Sequence, residues 1–174
     1  MKLSDDIQRL KDILSNVNEL QRFAEAKHGS LIAISIAIIG GLLNVMNKAQ
    51  GDISIRFFCI TSAILFMVSV FVSLRSFYPC TGNGEKIENI DCDKVNLYFF
   101  GHIKKFTTES YLREMQKCYD TSLQLTSSYE AKDLANQVIV NARITQYKFD
   151  LFKTAVTLFC IAGGLASFIF IYKL

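Results

Sequence analysis

The sequence predicts an all-α membrane protein, with three transmembrane helices, long helical cytoplasmic extensions and a small cytoplasmic insert between spans two and three. Three observations carry this. The 174 residues are 51% hydrophobic with a mean hydropathy of +0.26, too apolar for an ordinary soluble domain built around one core. The apolar residues are clustered: Gly29 to Asn47, Phe57 to Leu74 and Thr154 to Tyr172 contain no Asp, Glu, Lys or Arg. Each run approaches the ~20 residues that cross a hydrocarbon core of about 30 Å. Finally, the rest of the chain is too polar and too short to bury three such helices in a globular core.

Taken in order, residues 1–28 read as a cytoplasmic amphipathic helix. From Leu3, the apolar positions Ile7, Leu10, Leu14 and Val17 recur at alternating steps of about four and three, and Ala24 resumes the series after Gln21. MKLSDDIQRL places two aspartates where a signal peptide has its basic region, so the first span is expected to stay in the mature protein. Span one covers 29–47, an external loop 48–56, span two 57–74, a cytoplasmic sensor segment 75–150, span three 151–172 and an external tail 173–174. A second stripe, Ala131, Ala135, Val138, Ala142, Thr145, Phe149 and Phe152, leads into span three. The two stripes are expected to pack together and extend the bundle beyond the membrane.

Orientation follows from Lys and Arg near the spans. Of the 19 such residues, Lys48, Arg56 and Lys173 fall on one side and all the others on the opposite side. That places the N-terminus and residues 75–150 in the cytoplasm of a multi-pass membrane protein. Cysteine usage is compatible, because Cys80, Cys92 and Cys118 then face a reducing compartment where structural disulfides are rare. Cys80, Cys92 and His102 match no zinc spacing and lack a fourth ligand, so no metal or cofactor is expected.

Inside the membrane, Ala33, Ala37 and Gly41 repeat every four residues in span one, and Gly163 with Ser167 does so in span three. Such faces suit close helix association and a homo-oligomer. Ser62, Ser69 and Ser73 lie near one face of span two, either lining a wet path or bonding to backbone carbonyls. Three helices from one subunit do not enclose a channel, so a pore needs several copies. Enzyme chemistry has little support: no nucleophile elbow, P-loop, HExxH or paired CxxC occurs. His28, beside Lys27, is expected to snorkel at the membrane edge.

The densest chemistry is NLYFFGHIKKFTTESYLREM, Asn96 to Met115. An extended entry is expected to lead into a helix near TTES, with Thr107 as cap and Glu109 in the first turn. Asn96, Tyr98, Phe99, Phe100, Gly101, His102, Lys104 and Lys105 are the candidate ligand-binding residues. The rings suit stacking on a base, and Lys104, Lys105 and the helix start suit one phosphate. Against this stands the alternative that the rings pack in the core while the lysines face lipid headgroups.

Three blocks together resemble the Pycsar transmembrane effector family: EAKHGSLIAISIAIIGGLL (Glu25 to Leu43), NLYFFGHIKKFTTESYLREM, and DLANQVIVNARITQYKFDLFKTAV (Asp133 to Val156). Asn96, Leu97, Phe99, Phe100 and Gly101, followed by Tyr111 and Leu112, are the most specific part. His28-Gly29-Ser30 departs from the small apolar residues expected after Lys27. The resemblance implies a bacterial antiphage effector without enzymatic activity. It would answer cyclic CMP or cyclic UMP from a companion pyrimidine nucleotide cyclase, impair the lipid bilayer and abort the infection, with no nucleic acid polymer as partner. The competing reading is a membrane-anchored helical adaptor whose stripes bind another protein.

Overall fold

The computed structural model of the chain describes residues 2–49, 51–78, 95–119 and 125–172. The external tail expected at 173–174 and the early part of the expected sensor segment, 79–94, lie outside the described residues. Among those described, the ordered structure is helical: α1 Lys2–Lys48, α2 Ile53–Arg75, α3 Phe100–Ile103, α4 Thr108–Tyr119 and α5 Tyr129–Tyr172. Three of these, α1, α2 and α5, are long and apolar enough to cross a membrane. Two compact units share them. One is made of Met1–Phe23 and Cys80–Lys148, the other of Ala24–Pro79 and Phe149–Leu174. Here they are termed the polar unit and the span unit.

In the polar unit, the first turns of α1 and α5 lie side by side. Lys11 Nζ meets Glu130 Oε1 at 3.0 Å, and Asn141 Nδ2 donates to Asn18 Oδ1 at 2.7 Å. Both pairs advance in the same direction along the two helices, so α1 and α5 run parallel here. Between them and around them, Leu10, Ile13, Val17, Ala131, Ala135, Val138 and Ala142 form one core with Leu97, Ile103, Phe106, Tyr111, Leu112, Met115 and Leu125. The α5 stripe is buried from Ala131 to Thr145 as the spacing indicates, whereas Phe149 and Phe152, which belong to the span unit, are only half-buried. On α1 the phase shifts: Ile13 is buried, whereas Ile7 and Leu14 are half-buried. A seam contacting one partner helix would centre on Leu14, but α1 also packs against the 95–115 insert, which moves the buried face round to Ile13.

In the span unit, α1 turns into α2 through a short connection, in which Ala49 N donates to Val45 O and Asp52 N to Ala49 O. Asp52 caps α2: its Oδ1 accepts from Ser54 N at 3.0 Å and Ile55 N at 3.2 Å, satisfying two of the donors a helix start leaves open. Helix α2 runs antiparallel to α5. Phe58 stacks with Phe168, Phe66 meets Phe159 edge-on at 5.1 Å, and Ser69 Oγ donates to Ala155 O at 2.8 Å. The outer face is apolar and bare: Ile36, Ile60, Ile64, Met67, Val68, Phe71, Leu74 and Phe168 are all exposed. In water such a surface would be a severe liability; in lipid it is the expected one.

His28 is corrected by the structure. It is fully buried in the span unit, edge-on to Phe152 at 5.3 Å and to Phe77 at 6.4 Å. Lys27, its neighbour, rests over the Phe149 and Phe152 rings at 5.6 and 5.5 Å. The His28 imidazole, one position round the helix from Lys27, points inward, flanked by Phe152 of α5 and by Phe77 after α2.

Candidate functional site

The block that stood out in the sequence folds as a turn, a one-turn helix and a capped helix, all within the polar unit. Asn96 begins it: its Oδ1 accepts from Tyr98 N at 2.8 Å, and Phe99 N donates to Asn96 O. This Asx turn replaces the extended entry expected for the aromatic run, because a side-chain oxygen two residues back reverses the chain before a strand can start. Phe99 then precedes α3 with β-region backbone and folds its ring over Gly101, where an added Cβ would sit 2.5 Å from the ring edge. Gly101 thus accommodates the Phe99 ring in this position, and no unusual backbone angle calls for it. His102 closes the corner, its Nδ1 accepting from Asn96 N at 3.0 Å.

Two residues outside this corner pin it down. Tyr111, fully buried, donates its hydroxyl to Leu97 O at 2.8 Å. Burial pushes the Tyr111 phenol well above its usual range, helped by the nearby Tyr119 and Tyr98 phenols, so it stays a neutral donor. From α5, Arg143 donates through Nε to Lys104 O at 3.0 Å and through Nη2 to Phe106 O at 3.1 Å. The planar guanidinium thus bridges two carbonyls of the link between α3 and α4. Arg143 was not singled out by sequence reasoning. Its only signal there is a cation set on the inward side of a helix, next to the buried stripe residue Ala142.

Helix α4 begins as expected at Thr107. Ser110 N donates to Thr107 Oγ1 at 3.2 Å and Thr107 N to Ser110 Oγ at 2.9 Å, a reciprocal box. The donors a phosphate would need at that helix start are thus partly taken by the chain itself.

Of the eight candidate residues, Asn96, Tyr98, Phe99 and Lys105 are exposed, Phe100, His102 and Lys104 are half-buried, and Gly101 is buried. Tyr98 meets Tyr119 edge-on at 6.1 Å, and the Arg9 guanidinium lies 5.3 Å from the Tyr119 ring. Burial raises the Tyr119 phenol, with Tyr98 and Cys118 adding to the shift and Arg9 opposing it. The structure thus adds a cation from α1, not anticipated from the sequence, to the signature rings. A polar recess of about 360 Å³ is lined by Glu109, Leu112, Arg113, Gln116, Thr126 and Lys132.

Cys80 and Cys92 lie outside the described residues, and no group of three or more His, Cys, Asp or Glu able to hold a metal occurs among the described ones. In the span unit Ala33, Ala37, Gly41 and Ser167 are exposed and Gly163 is half-buried. A Cβ added at Gly41 or Gly163 would meet nothing within 4 Å. Among the described residues, then, no neighbouring helix approaches Gly41 or Gly163 closely enough to need a glycine there.

The Pycsar effector protein RsPycTM of a Rhizobium species is 27% identical over 152 residues, covering 84% of this chain and 84% of that protein. No solved structure matches the chain. The Pycsar effector protein domain, PycTM, matches residues 9–173, from the first turns of α1 to the end of α5, and the chain belongs to that family of Pycsar effectors.

Proposed function

We propose that this protein is an antiphage effector that senses a cyclic pyrimidine mononucleotide, cyclic CMP or cyclic UMP, and responds by impairing the inner membrane. A companion pyrimidine nucleotide cyclase supplies the signal, and the outcome is abortive infection. The observation that carries the reading is the family match across residues 9–173. Two features support it: a span unit whose surface demands lipid, and a polar unit whose core is built round the signature block. The membrane act needs no turnover, so the protein works as a responder rather than an enzyme. The N-terminus and residues 75–150 face the cytoplasm, where the nucleotide is made, and several copies assemble through the exposed Ala33, Ala37 and Gly41 face and the Gly163 and Ser167 face.

Within the polar unit, the outward side of the block offers the ligand its contacts: Tyr98 and Phe99 for the base, Lys104 and Lys105 for the phosphate. Asn96, Phe100, Gly101 and His102 hold that side in shape. Activation requires the ligand to bind the damaging state better than the resting one, since equal affinity shifts nothing. The adaptor reading loses its motive, because Leu10 and Val17 of the α1 stripe are already covered by the chain's own core.

The test is dye leakage from liposomes holding the purified protein, titrated with cyclic CMP, cyclic UMP and cyclic AMP. Leakage triggered by one pyrimidine nucleotide is the expected result; silence with all three, in inserted and folded protein, overturns the reading. Lys104→Glu with Lys105→Glu is expected to abolish the response while insertion is retained. A normal response from that variant, coupled with loss in Arg113→Glu, would move the phosphate to the recess beside α4.

A further inference from the structure

Hydroxyls in the span unit follow a habit that one face of α2 breaks. Ser30, Ser35, Thr61, Thr154, Thr157 and Ser167 each donate back to the carbonyl four residues earlier on their own helix, the inert outcome for such residues in a membrane. Ser69 instead donates across to Ala155 O on α5. Ser62, Ser73 and Ser76 are buried, at 0%, 0% and 2% exposure, and their Oγ atoms have no hydrogen-bond partner among the described residues. Ser62, Ser69 and Ser73 lie on the buried face of α2, which reads Ile55, Cys59, Ser62, Phe66, Ser69, Val70, Ser73, and Ser76 follows as the cap at its end. The opposite face, with Ile60, Ile64, Met67, Val68 and Phe71, is exposed and apolar.

Of the unpartnered serines, Ser62 and Ser73 fall within span two, and polar groups sealed there without partners make sense where water reaches them in another state, since polar lining inside a bilayer belongs to water-filled paths. A water needs two to four polar partners to be held, and a row of serines at helical spacing provides them in series. One residue interrupts the row. Phe66, fully buried, packs edge-on against Phe159 at 5.1 Å and 75°, placing an apolar constriction between Ser62 and Ser69. Hydrophobic constrictions of this kind gate by excluding water.

We infer that the serine face of α2, closed against α5 in this structure, becomes the wall of the water path in the activated assembly, with the Phe66 and Phe159 pair as its gate. The inference rests on the membrane-impairing function proposed above and states where the solute passes: along a protein-lined path, in place of general bilayer disruption.

The test uses the full chain in dye-loaded liposomes, with cyclic CMP and cyclic UMP as triggers. In the triple variant Ser62→Ala, Ser69→Ala, Ser73→Ala, triggered leakage is expected to fall about tenfold, the scale of lost hydroxyl solvation, while nucleotide binding stays at the wild-type level. Phe66→Ala is expected to leak without nucleotide at about ten times the wild-type rate, whereas Phe71→Ala on the lipid face leaves leakage unchanged. Phe159→Ala replaces Phe66→Ala if the latter fails to insert. Triggered leakage of the triple variant at the wild-type rate overturns the serine wall, and tight vesicles with both phenylalanine variants overturn the gate. A wild-type protein deaf to both nucleotides would sink the function proposed above; the phenylalanine variants, read without nucleotide, still decide this inference.

Discussion

At the level of single residues, the signature block owes its shape to a few side chains that take up backbone groups. Arg143 is the clearest. Its fork serves two carbonyls at once, which a lysine ammonium on a flexible stem does not do. Arg143→Lys is therefore expected to destabilise the protein by about 1.5–3 kcal/mol, the worth of hydrogen bonds to a charged group, read as a lowered thermal midpoint in detergent. Tyr111→Phe leaves Leu97 O without its donor and is expected to cost roughly 1–3 kcal/mol at neutral pH. It also carries a pH signature. The folded-state pKa of Tyr111 is raised above the ordinary 10.0, so its stabilisation is complete below about pH 10 and is lost as pH rises further. The stability difference between wild type and Tyr111→Phe should accordingly be flat from about pH 7 to 9 and shrink above about pH 10; a difference that grows with alkalinity would refute this account. Gly101→Ala tests the ring packing. Phe99 is 45% exposed and free to swing away, and alanine gains about 0.5–1 kcal/mol over glycine in a helix. The expected stability change is thus under ~1 kcal/mol, while a ligand response that depends on Phe99 would be impaired.

At the level of elements, helix starts and faces show how local chemistry is set. Asp52 caps α2 with two bonds, and Asp52→Ala is expected to cost about 1 kcal/mol, again as a lower thermal midpoint. Helix α4 carries its own box at Thr107 and Ser110 and buries Tyr111, Leu112 and Met115 on one side. Its role is thus first to roof the core of the polar unit, and only its other face, with Arg113, Gln116 and the recess toward Lys132, is open to a ligand. Helix α2 divides its labour differently: an apolar face for lipid, and an inner face whose serines are the least economical use of a buried surface in the span unit.

For the whole molecule, the key issue is which way it faces. The orientation proposed above, drawn from the distribution of Lys and Arg, has the polar unit inside the cell. In intact spheroplasts a membrane-impermeant thiol reagent should leave the exposed Cys118 unlabelled and should label a cysteine placed at Gly51, in the connection between α1 and α2. Labelling with the reverse pattern would invert the topology and separate the polar unit from a cytoplasmic nucleotide.

The sequence by itself determined the helical membrane class, the three helices long and apolar enough to span, the α5 stripe from Ala131 to Thr145 and the family, because these rest on composition and on residue patterns within single segments. It also located the segment Asn96 to Met115 as the place of interest. Only tertiary structure decided which side chains of that segment are used internally: Asn96 Oδ1 accepts from Tyr98 N, His102 Nδ1 accepts from Asn96 N, and Gly101 lies under Phe99. It equally revealed Arg143, 37 to 39 residues away from its acceptors, the inward turn of His28, and the partner of Ser69. The reason is physical. Periodicity tells which face of a helix is apolar, but a polar residue on or beside that face finds its partner on another element, and that pairing exists only once the helices pack.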